Sequence, residues 1–102
     1  MLYVMYIADV KADKLNEYYD LMGKFRTQSE KHGVKYIGAW RTAVGKREEV
    51  TILEAYKNMG DFETVRAKIE EDPICRELIL KLCQIRTVTS KFLTPVPFSP
   101  LV

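Results

Sequence analysis

Apolar residues recur along this chain with two different periods, and the periods divide it into elements. The longest instructive stretch runs from Val34 to Tyr56 and reads VKYIGAWRTAVGKREEVTILEAY. Two runs rich in β-branched and aromatic residues flank the turn signal Ala43-Val44-Gly45-Lys46, which predicts a hairpin with strands over 34–43 and 48–57. Residues 2–9 alternate with both sets apolar, Leu2, Val4, Tyr6 and Ala8 against Tyr3, Met5 and Ile7, which predicts a central strand. Over 11–32 the period changes to that of a helix, with Leu15, Tyr18, Tyr19, Met22 and Phe25 on one stripe and Gly33 as the stop. Asp61 is placed to cap a short helix to about Glu71 with the stripe Phe62, Val65 and Ile69. Asp72-Pro73 starts another helix to about Ile85. Residues 86–94 are β-branched and read as a last strand, and the tail 95–102, PVPFSPLV, cannot be a helix or a central strand. Phe98 and Leu101 suggest that this tail packs against the body.

The element order β-α-β-β-(α-α)-β is that of a ferredoxin-like α+β fold, one antiparallel sheet with helices on one face. Which face the helices cover turns on side-chain size. Ala39 and Ala55 are small and allow close approach, so Tyr3, Met5, Ile7, Ile37, Ala39, Leu53 and Ala55 are expected on the helix side. The free face then carries Val4, Tyr6, Tyr36, Gly38, Trp40, Ile52, Glu54 and Tyr56. Leaving each large apolar group wet forfeits about 1.5–3 kcal/mol. A second copy packed free face to free face, as a homodimeric barrel, removes that penalty.

Composition changes this picture little. At 102 residues the chain is expected to form one domain, 1–102, with a small core. A formal charge of +2 with interspersed signs does not argue for nucleic acid. No apolar run approaches a membrane span, and MLYVMYIADV reads as a strand and not as a signal peptide, so a cytoplasmic location is expected. Cys75 and Cys83, eight residues apart in one helix, lie roughly 12 Å apart, too far for a disulfide. Both read as small core residues.

Candidate chemistry centres on Glu54. A carboxyl facing an apolar cavity has its pKa raised and can act as acid or base near neutrality. The competing reading is a salt bridge to Arg41, to Lys57 or to a partner chain. Tyr6, Tyr36, Trp40, Ile52 and Tyr56 are the candidate pocket walls for a flat apolar ligand, or else they simply fill the barrel. His32 reads as a surface residue at a helix C-terminus. One histidine and two thiols give no zinc spacing, and none lies on the face assigned to the cavity, so no metal, haem or other cofactor is expected.

The ordered set of V-K-Y-I-G-A-W at 34–40, Glu54-Ala55-Tyr56, Val65-Arg66-Ala67, Asp72-Pro73 and Pro97-Phe98-Ser99-Pro100-Leu101 resembles the NIPSNAP family, from Tyr3 to Leu101. The resemblance implies a dimeric α+β barrel with a cavity on each sheet's free face. It implies no reaction, since the family's activity is largely undefined. The superfamily includes cofactor-free monooxygenases, haem-degrading enzymes and small isomerases. Where family members commonly carry His and Trp on the third strand this chain has Ile52 and Glu54, and where they often carry Glu and Arg on the first it has Val4 and Tyr6. Two functions stand side by side: a barrel that binds a small apolar or aromatic molecule or a protein partner, and a cofactor-independent monooxygenase- or isomerase-like enzyme with Glu54 as acid/base.

Overall fold

The computed structural model describes residues 1–102. Strand β1 (Leu2–Val10) leads through a single 3-10 turn (Ala12–Lys14) into helix α1 (Leu15–Glu30). Strands β2 (Lys35–Arg41) and β3 (Glu49–Tyr56) form the hairpin, helices α2 (Met59–Glu71) and α3 (Pro73–Cys83) follow, and β4 (Arg86–Leu93) ends the sheet. The strand order is β2-β3-β1-β4, antiparallel throughout. This is the ferredoxin-like α+β arrangement that the periodicity predicts.

The element boundaries have local causes. Gly33, at φ 103°, supplies the left-handed residue after α1. The Asp72 side chain accepts from the Ile74 N–H, with Pro73 at the first helical position of α3, as the Asp-Pro pair predicts. Helix α2 begins earlier than expected. Asn58, not Asp61, is its cap and accepts from the Asp61 N–H, while the Asp61 carboxylate accepts from the Lys57 N–H. The two side chains thus satisfy two otherwise orphaned backbone donors.

On β1 and β3 the faces are the reverse of the expectation, whereas past a bulge in β2 Ala39 lies on the helix side and Gly38 and Trp40 on the open side, as expected. The buried helix-side residues are Leu2, Val4, Ala8 and Val10 on β1 with Val50, Ile52, Glu54 and Tyr56 on β3. They pack on Tyr18 and Leu21 of α1, Val65 and Ile69 of α2, and Cys75, Leu78 and Leu82 of α3. Tyr3, Met5, Ile7, Leu53 and Ala55 take the open face, since pleating sends alternate residues to opposite sides. The size argument misled because the helices dock chiefly on branched and aromatic side chains, which fill the space between layers.

Trp40 departs from the strand alternation for a separate reason. A β-bulge between Tyr36 and Gly38 shifts the register, so that Tyr36 pairs with Glu54 but Gly38 pairs with Leu53 and Trp40 with Thr51. One extra residue sends everything after it to the other side. Tyr36 therefore faces the helices and Trp40 the open side, 55% exposed. Its ring lies over Gly38, where a Cβ would come within 2.6 Å of Trp40 Cη2.

Three smaller expectations also change. Cys83 is exposed and only Cys75 is buried; both thiols are free. Tyr19 is exposed, and Leu21 takes its place in the core. Phe98 of the tail is exposed, although the chain end returns to the sheet, where the Tyr3 hydroxyl donates to the Val102 carbonyl oxygen at 2.8 Å.

Candidate functional site

The sheet and the helices do not close completely on each other. Between them lies a cavity of about 200 Å³ whose walls are mostly apolar. Strands supply Tyr6, Ala8, Tyr36, Ile52, Glu54 and Tyr56; helices supply Tyr18, Met22, Phe25, Phe62, Ile69 and Ile79. Val34, Arg66, Cys83, Arg86 and Val88 complete the lining. An apolar cavity of about 150 Å³ is known to accept benzene, so this one has room for a one- or two-ring molecule.

Five of the six residues singled out in the sequence meet here: Glu54, Tyr6, Tyr36, Ile52 and Tyr56. They do so on the helix side, and not on the free face where the cavity was expected. Trp40 is not among them. It borders a neighbouring, more open groove with Ala39 and Arg41.

Glu54 is 6% exposed. The Tyr56 hydroxyl donates to its Oε1 at 2.6 Å, and Oε2 has no hydrogen bond from the protein. Neither Arg41 nor Lys57 pairs with it; the Arg41 Nε donates instead to the Arg47 carbonyl. Burial pushes the Glu54 carboxyl up from its ordinary value, opposed by the Tyr56 hydrogen bond and the Arg66 charge. The same burial, with the Glu54 charge, pushes Tyr6 up to about 12 and holds Tyr56 well above its ordinary range. Tyr36 is raised chiefly by burial too. Its hydroxyl lies 2.8 Å from Ser29 Oγ, which donates to the Arg26 carbonyl, so Tyr36 is the donor to Ser29. Four phenols and one carboxyl thus reach the cavity lining, and every one of these phenols stays protonated at neutral pH.

An edge-to-face aromatic series closes one side. Tyr56 meets Phe62 at 5.1 Å between centroids, and Phe62 meets Phe92 at 5.1 Å. Phe92 lies on β4 opposite Val4, so this series ties α2 to an edge strand.

Outside the cavity, His32 is more than a surface residue. Its Nε2 lies 2.7 Å from Asp72 Oδ2, which also accepts from Gln28 Nε2 at 2.7 Å, and Cys75 Sγ lies 3.6 Å away. These contacts pin the end of α1 to the start of α3 and hold the Asp72 carboxyl well below the usual carboxylate range. The sequence hides this cluster because its members are 40 residues apart. His32, Asp72 and Cys75 are all potential metal ligands, but the Asp72 oxygens are already committed to protein donors, so the donor set suits a structural clamp.

The sequence profile of the NIPSNAP family matches residues 4–100. No curated protein matches the chain. A solved NIPSNAP family protein from Agrobacterium tumefaciens is 25% identical, superposes with a TM-score of 0.88, and is covered over 90% of its length by 99% of this chain. An uncharacterized NIPSNAP domain protein from Burkholderia xenovorans is 21% identical, with a TM-score of 0.86 over 98% of this chain and 99% of that one. A solved antibiotic biosynthesis monooxygenase shares the fold at 11% identity, with a TM-score of 0.75 over 95% of this chain and 100% of that one.

Proposed function

Since the chain belongs to the NIPSNAP family, a family of unknown function, we propose that it is a small-molecule-binding domain whose ligand is a one- or two-ring aromatic compound held between sheet and helices. One observation carries the reading. A carboxyl, Glu54, is buried in an apolar cavity of about 200 Å³ without a cationic partner and with Oε2 unbonded. Oε2 is an acceptor left open by the protein, and a ligand hydroxyl in the cavity can donate to it. Tyr6, Tyr36 and Ile52 give the ring its apolar walls.

The domain acts in the cytoplasm as a homodimer. Its open sheet face carries Tyr3, Met5, Ile7 and Leu53, with Trp40 at one side, and two such faces stack. No helix is long and apolar enough to cross a membrane.

The test is titration with phenol and 2-naphthol, followed by Tm and by NMR shifts of cavity residues. Saturable binding is expected, and Ile79→Trp, which fills the cavity, abolishes it. No binding of either ring, or binding unchanged in the filled variant, overturns the reading.

The unbonded Glu54 Oε2 also supports a second reading, a cofactor-independent monooxygenase- or isomerase-like enzyme in which Glu54 takes the proton of a bound phenol or enol. The fold shared with an antibiotic biosynthesis monooxygenase is compatible with it. Dioxygen uptake with hydroxylated aromatics, present in the wild type and lost in Glu54→Gln, is the result that supports it.

A further inference from the structure

At the end of the cavity away from Glu54 lies a buried polar group without a partner. The Tyr18 side chain is 1% exposed, lines the cavity, and its hydroxyl is the one fully buried side-chain polar atom without a hydrogen-bond partner. Arg86 lines the same cavity and forms no ion pair and no side-chain hydrogen bond. Its charge acts on Tyr18, opposing the rise that burial imposes on the phenol. The two ends are well separated. On β1 Arg86 pairs with Val10 and Glu54 with Val4, six residues or roughly 20 Å of strand before the side chains lean inward.

An apolar cavity bordered at one end by an unpaired guanidinium, beside a tyrosine whose buried hydroxyl has no partner, is suited to an oxyanion. Arginine recognises carboxylates through charge-assisted hydrogen bonds, and a phenol hydroxyl adds a neutral donor. Resting on the reading that the cavity holds an aromatic ring, we propose that Tyr18 and Arg86 form a carboxylate subsite, and that the ligand class is a hydroxylated aromatic carboxylate whose hydroxyl faces Glu54. The ring spans the apolar middle, the carboxylate accepts from Tyr18 and Arg86, and the ring hydroxyl donates to Glu54 Oε2. Both unpaired groups acquire partners in one binding event.

The probes are 4-hydroxybenzoate and its neutral counterpart 4-hydroxybenzyl alcohol, titrated calorimetrically into the full chain. The wild type is expected to bind the carboxylate tighter by about tenfold or more, the size of a hydrogen bond to a charged group. Arg86→Met is expected to remove that preference, the carboxylate losing more affinity than the neutral alcohol; Arg86→Lys restores part of it. Tyr18→Phe weakens the carboxylate selectively and keeps the ring that packs in the core, which guards against loss of fold. Equal affinity for the two probes in the wild type, or a preference that survives Arg86→Met, overturns the subsite while the aromatic cavity stands, the Tyr18 hydroxyl then being met by water. Binding of neither probe, with phenol and 2-naphthol also failing to bind, overturns the cavity reading and the subsite together.

Discussion

The Tyr56 hydroxyl donates to Glu54 Oε1 at 2.6 Å from two residues along the same face of β3. Side chains at this spacing stand side by side on a pleated strand, so the carboxyl is held by its own strand and not by a helix or a cation. The phenol is the sole protein hydrogen bond to a group that burial drives toward its neutral form.

Replacing that phenol isolates the carboxyl. Tyr56→Phe is expected to destabilise the fold by about 1–3 kcal/mol, the usual cost of stranding a buried acceptor, and to raise the Glu54 pKa further. Chemical denaturation gives the first quantity and carbon-detected NMR titration the second.

Glu54 sets the sign of one pH dependence. Its folded pKa is raised above the unfolded value, about 4.3. The native state therefore binds its proton more tightly than the unfolded chain does. Stability from this group is complete below the unfolded pKa and is lost as pH rises through the folded one. Glu54→Gln is expected to melt above the wild type at pH 8, with the gap narrowing as pH falls toward 4. A gap independent of pH contradicts the burial of the charge.

Asp72 has the opposite sign. Its folded pKa is depressed by His32 and Gln28, so its stabilisation is present above the unfolded value and is lost as pH falls through the folded one. Asp72→Ala removes a helix cap and the link to α1 together. It is expected to lower Tm by several degrees at pH 7, with an effect that shrinks progressively as pH falls below the unfolded carboxyl value, about 4.

Gly38 lies beneath the Trp40 ring. Gly38→Ala forces the exposed indole away at a cost of under about 1 kcal/mol, as for most surface changes. Tryptophan fluorescence reports the shift as a red-shifted emission with Tm little changed.

The open face makes a prediction about assembly. Ile7→Glu places a charge at its centre and is expected to give monomer by light scattering, since a carboxylate buried between two sheets lacks a partner. Trp40→Glu, at the periphery, is expected to weaken the dimer less. A wild type that is itself monomeric refutes the stacked-sheet assembly.

How much of this was legible in the sequence follows from the range of each interaction. Periodicity is local, so the elements and their order could be read, as could Gly33 and the Asp72-Pro73 start. The face assignment needed to know which apolar side the helices choose on strands apolar on both sides, and nothing local decides that. Inverting the faces moved the pocket without scattering it, because Tyr6, Ile52, Glu54 and Tyr56 keep one side of their strands whichever way the sheet is covered. Trp40 left the set because a bulge is a single unpaired residue with no strong sequence mark beyond the nearby glycine. Tyr18 and Arg86 were missed as site residues because each looks ordinary alone; only the fold brings an orphaned hydroxyl and a free guanidinium to one end of a cavity. His32 with Asp72 was hidden by its separation in the chain.

The bulge has a consequence for the rims of the sheet as well as for its faces. β2 and β4 are the two edge strands, and unpaired edges invite further strands to add on, the route to fibrous aggregates. In β2 the hydrogen-bonding ladder is interrupted at Ile37 and bracketed by Lys35 and Arg41; in β4 the exposed run Thr87–Lys91 is largely polar and ends in a cation. Neither rim offers a long, flat, apolar template. Growth by strand addition is discouraged at both ends, and the flat of the sheet is the broad apolar surface that remains.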